Sequence, residues 1–300
     1  MTDLSIIILS YNTKVLTKKC IQSVVASLRE DPQIKTEIVV LDNASTDGSV
    51  EMLKGFKVDN LELKVIQNKK NLGFAKGNNK AVKLSKGKTL LFLNSDTQAI
   101  SDAVPVLYRY FVSSDNTFDF VGAKLLETDG KKPQPSAGPG YTLPVVFAAL
   151  FLRGDYWGLT RYSPDTTREV DWASGACLMT SKKTFDDLGG FDESIFMYMD
   201  EIDMLHRARK QRLSVGFYPE ARFIHHGSAS SAERTQPIIK VYEGLLYFYK
   251  KHQGPLQLRV LQLMLITKAE ISLAIGRVFG NNYLSKTYEQ ALKVVKNSRR

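Results

Sequence analysis

The sequence predicts an α/β fold with a mostly parallel central sheet and a C-terminal helical extension. Three observations lead to this prediction. Short apolar runs alternate with helical patterns in the first 93 residues, polar side chains follow each apolar run, and the chain is helical in pattern from about residue 233. Alternating strands and helices favour a parallel sheet that is covered by helices on both faces.

The first four predicted strands comprise residues 4–9, 37–41, 63–67 and 89–93. Apolar residues recur at helical spacing between these strands, in residues 15–28, 49–56 and 78–84. In open α/β sheets, ligands bind beyond the carboxyl ends of the strands. We therefore expect the functional groups in the loops that follow the strands.

The later part of the chain has a different pattern. Strands with long loops follow residue 115, and the Pro- and Gly-rich residues 132–144 predict a flexible surface loop. Residues 256–275 are strongly apolar but contain Arg259, Lys268 and Glu270. Their apolar residues favour bilayer insertion by about 6 kcal/mol, and each charge opposes it by about 2.5–3.5 kcal/mol. Spanning is not favoured, which leaves a peripheral membrane contact, or packing on the preceding α/β domain or a second subunit.

The composition limits the partners of the chain. A formal net charge of +10 favours nucleic acid, anionic lipid or phosphorylated substrates. Zinc-finger spacing, RNP-type strands and basic arms are missing from the sequence, so we expect no nucleic-acid partner. Cys20 and Cys177 match neither a disulfide framework nor a metal site and are expected to be buried free thiols. The first residues lack the pattern of a signal peptide, so we expect a cytoplasmic protein.

Two nucleotide-binding classes are excluded by the loops. A dehydrogenase would carry Gly-x-Gly-x-x-Gly after the first strand, where residues 10–14 read Ser-Tyr-Asn-Thr-Lys. A P-loop ending at Gly87-Lys88-Thr89 would need a glycine at the position of Val82. What remains is a nucleotide site built from side chains at strand ends.

Asp42 is the first candidate for such a site. Its carboxylate can accept a hydrogen bond from the imide N–H of uracil or thymine, while Tyr11 offers a ring for stacking and Asn12 an amide. The alternative is that residues 42–49 form a turn with helix N-caps, since Asp, Ser and Thr serve both purposes.

Asp96 is the candidate metal ligand. It follows a buried strand, and hard cations such as Mg²⁺ and Mn²⁺ take carboxylates together with substrate phosphates. Asn94 can supply a neutral ligand or a supporting hydrogen bond. His225, also at a strand end, is a candidate for a further metal ligand or for a hydrogen-bond donor to a diphosphate. The alternatives are that Asp96 caps a helix after Thr97 and that His225 is a core histidine.

Residues 188–207 bring a Gly-Gly turn and two aromatics ahead of a cluster of acids. Asp200 and Glu201 fall in the first turn of a predicted helix, where the helix dipole favours ionised acids by about 0.3–1 kcal/mol. Such a carboxylate can act as a general base. Asp203 and Arg207 are four residues apart and can pair.

Trp172 and Gly175 precede a predicted strand, residues 176–180. A tryptophan can offer a flat apolar face to a ligand, and a glycine lets a ligand approach the backbone closely. Core packing of Trp172 is the alternative.

Seven motifs occur in the order of one known family. They are Ser-Ile-Ile-Ile-Leu-Ser-Tyr-Asn ending at residue 12, Val-Leu-Asp-Asn-Ala-Ser-Thr-Asp-Gly-Ser ending at 49, Asn-Leu-Gly-Phe-Ala-Lys-Gly-Asn-Asn at 71–79, Leu-Asn-Ser-Asp-Thr at 93–97, Trp-Ala-Ser-Gly-Ala at 172–176, Gly-Gly-Phe-Asp at 189–192 and His-His-Gly at 225–227. Over residues 4–232 the chain resembles family 2 inverting glycosyltransferases of the GT-A fold, in the rhamnosyltransferase-like branch.

The resemblance implies roles for several residues. Tyr11 and Asp42 would bind the nucleotide, Asp96 would hold Mg²⁺ or Mn²⁺, and the pair Asp200 and Glu201 would supply the general base. Relatives usually show Glu-Asp where this chain has Asp-Glu, so the expected base position falls on Glu201, with Asp200 as its competitor.

The complete predicted site has four parts. The nucleotide part comprises Tyr11, Asn12, Asp42, Asn71, Gly73 and Asn94. The metal ligands are Asp96 and His225, and the catalytic residues are Glu201 and Asp200. The acceptor and sugar contacts are Trp172, Gly175, Asp203 and Arg207.

We expect a catalytic domain of residues 1–232, with a nucleotide-sugar half up to about residue 98, and a helical region of residues 233–300. The expected reaction transfers a hexose or deoxyhexose, rhamnose included, from a UDP- or dTDP-sugar to a hydroxyl of a cell-surface glycan or a polyprenyl-linked acceptor. Contact with the inner face of the cell membrane and a homo-oligomer are open. The alternatives are a non-catalytic glycan- or membrane-binding relative and a sugar-nucleotide pyrophosphorylase.

Overall fold

The computed structural model describes residues 1–56, 61–227 and 235–298. Within these ranges the strands are β1 Leu4–Ser10, β2 Thr36–Asp42, β3 Glu62–Gln67, β4 Thr89–Asn94, β5 Thr97–Ala99, β6 Phe120–Leu126, β7 Pro133–Gln134, β8 Ala137–Gly138, β9 Arg168–Glu169, β10 Trp172–Ala173, β11 Cys177–Ser181 and β12 Val215–His225. The helices are α1 Lys14–Leu28, α2 Ser49–Lys54, α3 Gly73–Lys83, α4 Ala103–Val112, α5 Leu143–Phe151, α6 Lys182–Asp187, α7 Asp200–Lys210, α8 Thr235–His252, α9 Pro255–Val278 and α10 Asn282–Asn297.

The central sheet has the strand order β3-β2-β1-β4-β11-β6-β12-β5. Strands β3, β2, β1 and β4 are parallel, as their alternation with helices predicts. Strand β11 is antiparallel to both of its neighbours, and β12 runs parallel to β6. The predicted fold class, a mostly parallel sheet with C-terminal helices, is confirmed.

The core forms where apolar runs allow both faces of a strand to be buried. Ile6, Ile7 and Ile8 of β1 are fully buried, and on one face Ile6 and Ile8 pack with Cys20 and Ile21 of α1. Burial of each such aliphatic side chain stabilises the fold by about 1.5–3 kcal/mol. Cys20 and Cys177 are both buried and free, which confirms the prediction, and burial raises the pKa of the Cys20 thiol.

The predicted flexible loop at residues 132–144 is wrong. Strand β7 pairs with β6, β8 pairs with β10, and α5 begins at Leu143. Ser136 and Ala137 are buried. This segment takes its order from partners that are distant in the sequence, which proline and glycine content alone does not indicate.

The described residues form two compact units. The first takes its residues from Met1–Gly138, Tyr162–Phe196 and Glu201–Ser230, and the second from Pro139–Arg161, Met197–Asp200 and Ser231–Arg300. In the second unit, α8, α9 and α10 pack together and α5 packs on α9. Among the described helices, none combines the length and hydropathy that crossing a membrane requires.

Candidate active site

Asp42 stands at the carboxyl end of β2 and is fully buried. Its Oδ1 accepts a hydrogen bond from the backbone N–H of Ser45 at 2.8 Å. Its Oδ2 is buried and has no hydrogen-bond partner within the described ranges. Leaving a buried acceptor unpaired costs about 1–3 kcal/mol, so a ligand N–H at this oxygen would remove that cost.

Asn12 joins the loops that follow β1 and β2. Its backbone N–H donates to Ser45 Oγ at 2.9 Å, and its Oδ1 accepts from the Thr46 backbone N–H at 2.8 Å. Its φ of 52° is in the left-handed region, which asparagine tolerates. Tyr11, which precedes it, is half-buried. The amide of Asn12 therefore positions the loops around Asp42.

Asp47 fixes the start of α1 in the same region. Its Oδ2 accepts from the Lys14 backbone N–H at 2.8 Å, and its Oδ1 accepts from Ser49 Oγ at 2.5 Å. Burial raises the pKa of Asp47, but the hydrogen bonds from Ser49 and Lys14 together hold this pKa below its ordinary value. The carboxylate therefore stays ionised at neutral pH.

Asn43 connects Asp42 to the loop before α3, a role that the sequence analysis missed. Its Nδ2 donates to the Gly73 carbonyl at 3.1 Å, and its Oδ1 accepts from Asn68 Nδ2 at 2.8 Å. Asn71 closes the same loop, because its Oδ1 accepts from the Gly73 N–H at 2.9 Å. The sequence signals for Asn43 are its place directly after a strand and its position in the motif that ends at residue 49.

Gly73 lies against the block of residues 188–207. The Phe74 backbone N–H donates to the Phe196 carbonyl at 2.8 Å. Gly73 has a φ of +77°, and a Cβ on it would stand 2.3 Å from that same carbonyl oxygen. Only glycine satisfies both conditions. The predicted nucleotide loop and the acid block are thus neighbours.

Asp96 and His225 meet at the ends of β4 and β12. His225 Nε2 lies 3.4 Å from Asp96 Oδ1 and 3.5 Å from Asn94 Nδ2. Thr97 begins the short strand β5, which pairs with β12, so the alternative of Asp96 as a helix cap is not supported. Residues of two motifs that are far apart in the sequence, Asn94 and Asp96 of one and His225 of the other, therefore come together.

Gln134 orients His225 and was missed by the sequence analysis. Its Oε1 lies 2.7 Å from His225 Nδ1, and its Nε2 donates to the His225 carbonyl at 3.4 Å. An amide oxygen at Nδ1 selects the tautomer with the proton on Nδ1. The lone pair of Nε2 then faces the Asp96 carboxylate.

Asp96 and His225 suit a divalent cation whose coordination shell is completed by a substrate. No group of three or more His, Cys, Asp and Glu side chains gathers as a metal cage in the part of the chain that the structure describes. Asp96 Oδ1 and His225 Nε2 are close enough to contact one ion. Mg²⁺ commonly binds through one or two carboxylates together with substrate phosphates and water, so the donor set fits.

The acid block starts α7 at Asp200, as predicted. Asp200 is 2% exposed, whereas Glu201 is partly exposed. A Cβ on Gly175 would lie 3.5 Å from Glu201 Cβ and 3.4 Å from the Phe74 ring. Glu201 therefore lies beside Gly175, and it is the more accessible acid of the pair.

Asp203 and Arg207 form the predicted ion pair, with Arg207 Nε 2.8 Å from Asp203 Oδ2. Arg207 also donates to the carbonyls of Leu188 and Gly190 at 2.7 and 2.6 Å. Asp203 is fully buried. This geometry favours a role in holding the Gly-Gly turn against α7 over direct contact with an acceptor.

Trp172 is 2% exposed, and its strand β10 pairs with β8. A ring that is removed from solvent offers no face to a sugar, so the structure favours the alternative of core packing for Trp172. Gly175 is the member of this motif that approaches a predicted catalytic residue.

The turn before α7 is strained. Tyr198 and Met199 both have positive φ, 64° and 68°, which costs about 1–3 kcal/mol for each non-glycine residue. Gly244 of α8 gives this turn room, since a Cβ on it would stand 2.7 Å from Met199 Cγ. The start of α7 thus depends on a contact that holds Tyr198 and Met199 in place.

The relatives of the chain were compared by sequence. The chain is 27% identical over 230 residues to the low-salt glycan biosynthesis hexosyltransferase Agl10 of Haloferax volcanii, which covers 75% of this chain and 68% of that protein. It is 32% identical over 89 residues to the N-acetylglucosaminyl-diphospho-decaprenol L-rhamnosyltransferase of Mycobacterium tuberculosis, with 29% of each chain covered.

Among solved structures, the mannosyltransferase PcManGT from Pyrobaculum calidifontis, in complex with GDP-Man and Mn²⁺, superposes with a TM-score of 0.60. The match covers 98% of this chain and 85% of that one at 15% identity. At this identity the similarity shows a shared fold, and the predicted GT-A type is confirmed.

The family model of glycosyl transferase family 2 matches residues 5–177, more than half of the chain. This range includes β2, which ends at Asp42, and β4, which ends two residues before Asp96. The chain belongs to glycosyl transferase family 2 and is a glycosyltransferase.

Proposed function

We propose that this enzyme transfers a hexose or deoxyhexose, with inversion, from a UDP- or dTDP-sugar to a hydroxyl of a growing glycan or lipid-linked oligosaccharide. The buried Oδ2 of Asp42, which has no hydrogen-bond partner among the described residues, carries the proposal. It stands at the strand end where such folds bind nucleotides and would accept the imide N–H of uracil or thymine. The proposed nucleotide contacts are Tyr11, Asn12, Asp42, Asn71, Gly73 and Asn94.

The leaving diphosphate needs a positive partner. Asp96 and His225 would hold Mg²⁺ or Mn²⁺ there, and the ion when bound would neutralise charge that develops on the diphosphate. Gln134 keeps the lone pair of His225 Nε2 directed at the proposed cation position beside Asp96. The proximity of Asp96 Oδ1 and His225 Nε2 supports metal dependence.

Glu201 is the proposed general base. It takes the proton of the acceptor hydroxyl as that oxygen bonds to the anomeric carbon, while the bond from this carbon to the diphosphate oxygen breaks. Attack from the face opposite the diphosphate inverts the configuration. Glu201 is preferred to Asp200 because Asp200 is almost fully buried.

The proposed acceptor side of the site comprises Gly175, Asp203, Arg207 and Trp172. Gly175 lies beside Glu201 and is the proposed close contact for sugar. Asp203 and Arg207 would act through the turn that they hold, and Trp172 through packing. The mycobacterial relative acts, by its name, on a diphospho-decaprenol acceptor. By analogy we propose a lipid-linked acceptor, and an enzyme that works at a membrane surface.

One experiment tests the donor and the base together. Nucleoside diphosphate release is measured for UDP-, dTDP- and GDP-sugars with candidate acceptors, and NMR determines the anomeric configuration of the product. We expect release from a UDP- or dTDP-sugar, an inverted product, and a loss of kcat in Glu201→Gln of at least about a hundredfold. Full turnover by Glu201→Gln with a large loss in Asp200→Asn would move the base to Asp200. Retention of configuration would refute the mechanism.

A further inference from the structure

The outer face of α9 is an apolar surface on the second unit. Five large side chains of this helix lie along one face and are exposed: Leu256, Val260, Leu263, Ile271 and Val278. Leu256, Leu263 and Val278 are 72%, 61% and 78% exposed. Their spacing of three, four, seven and eight residues returns each time to the same side of a helix. We call these five residues the α9 face.

The α9 face is not needed for packing within its unit. The opposite side of the helix buries Leu261, Leu265 and Ala269, and it is this helix that α8, α10 and α5 pack against. Contiguous apolar patches on soluble monomers are usually small, and larger ones mark interaction surfaces. We therefore expect the α9 face to bind a partner.

The charges around the α9 face indicate what that partner is. Arg259 and Arg277 lie about five turns apart at 3.6 residues per turn, so both stand on one margin of the face, which also carries the exposed Glu270 between them. Residues 235–298 contain nine Lys and Arg against three Asp and Glu, a net charge of +6. Like charge opposes pairing with a second copy, whereas it attracts anionic lipid headgroups.

A second segment of the same unit has the composition of a membrane interface. Residues 152–159 follow α5 and expose Leu152, Tyr156, Trp157 and Leu159, with Trp157 at 68%. Arg153 lies over the Tyr156 ring at 5.4 Å. Tyrosine and tryptophan are enriched at headgroup level, where one end of the ring is apolar and the other polar.

We propose that the α9 face and residues 152–159 bind the surface of an anionic lipid bilayer, with α9 lying in the plane of the membrane. An amphipathic helix of this kind binds through its buried apolar area and through attraction of basic residues to anionic lipid. The proposal rests on the proposed function for its purpose, since it would bring the enzyme to a lipid-linked acceptor.

Vesicle flotation of the full chain tests the proposal. The probes are vesicles of phosphatidylcholine alone and vesicles with about one third phosphatidylglycerol. We expect binding to the anionic vesicles that weakens in high salt, and at least about tenfold weaker binding by the double variant Val260→Glu/Leu263→Glu. Val112→Glu changes an exposed valine of α4 in the first unit and is the matched control.

Tryptophan fluorescence tests the second segment. The chain has two tryptophans and Trp172 is buried, so a blue shift on addition of anionic vesicles would report on Trp157. Absence of this shift would show that residues 152–159 are not part of the membrane-binding surface. Equal vesicle binding by wild type and the double variant, or no binding by wild type, would overturn the proposal.

Two further measurements separate the explanations. Sedimentation velocity without lipid would show a dimer that the double variant dissociates if a second copy covers the α9 face, and this result would also overturn the proposal. Transfer to a water-soluble acceptor should be equal in wild type and the double variant. If neither protein transfers sugar, the proposed function fails while the vesicle result still stands.

Discussion

At the scale of single residues, His225 shows how one hydrogen bond decides what a histidine can do. The ring has two nitrogens, and Gln134 Oε1 beside Nδ1 leaves Nε2 as the acceptor. Such supporting partners fix the tautomer and the orientation of a metal-binding histidine, and their mutation lowers the affinity for the metal. Gln134 is therefore expected to set the affinity of the proposed site without contacting the metal.

The substitution Gln134→Leu is expected to weaken Mn²⁺ binding about 10- to 100-fold, because the His225 ring loses its fixed tautomer and orientation. Titration calorimetry in the presence of UDP measures the affinity. Gln98→Leu is the control, since Gln98 Nε2 bonds the ring of the neighbouring His226 at 2.5 Å. Equal weakening by both variants would assign the effect to general disturbance of β12.

At the scale of elements, the position of the base depends on how α7 begins. The strained residues Tyr198 and Met199 precede it, and Gly244 of α8 leaves them room. Strain of this kind persists only where the surrounding packing holds it. We therefore expect α8 to affect turnover although it carries none of the proposed site residues.

Gly244→Ala is expected to lower kcat and to destabilise the fold by about 1–3 kcal/mol, because the added Cβ would stand 2.7 Å from Met199 Cγ. Steady-state kinetics and urea unfolding measure the two effects. Gly55→Ala is the control, since Gly55 has negative φ and its Cβ would meet only ordinary contacts. Normal kcat in Gly244→Ala would show that the turn tolerates the shift.

Two tyrosines of α8 make its packing sensitive to alkaline pH. Tyr242 donates to the Leu265 carbonyl and Tyr249 to the Tyr141 carbonyl, and burial raises the pKa of both phenols above the ordinary value of about 10. The folded state thus keeps protons that the unfolded state loses above pH ~10. This stabilisation is complete below that pH and is lost as the pH rises further.

We expect these tyrosines to ionise only when α8 unfolds. Absorbance of tyrosinate and far-ultraviolet circular dichroism, followed from neutral pH upward, should show a late tyrosinate step that coincides with loss of helix. Tyr249→Phe should move the loss of helix to higher pH, since one titrating group is removed. An unchanged midpoint would exclude Tyr249 as a cause.

At the scale of the whole molecule, a ligand that binds the folded state raises the melting temperature. A ligand at a hundred times its Kd adds about 2.7 kcal/mol. We expect UDP with Mn²⁺ to raise Tm more than UDP with a chelator. Asp96→Ala should abolish the difference between the two conditions, and Asp42→Asn should reduce both shifts. A normal Mn²⁺-dependent shift in Asp96→Ala would remove Asp96 from the metal site.

The parts of the fold that the sequence predicts are those built from neighbouring residues. The apolar runs of β1, β2 and β4 mark buried strands, and Asp42 and Asp96 follow directly from where those strands end. Gln134 could not be found this way, because it is 91 residues from His225 in the sequence. The two residues meet only because β7 pairs with β6. The exposure of the α9 face likewise depends on which helices pack on its other side.

The placement of His225 has one more consequence. It ends β12, a strand that β6 flanks along most of its length and that β5 joins on the other side at residues 223–225. His225 itself pairs with Thr97 of β5, and its neighbour Ile224 pairs with both β5 and β6, so the histidine backbone has little freedom to lose when the proposed ion binds. In a preorganised site of this kind, ordering of the residues offsets little of the binding free energy. The contacts themselves then determine how well the site discriminates between ions and between sugar donors.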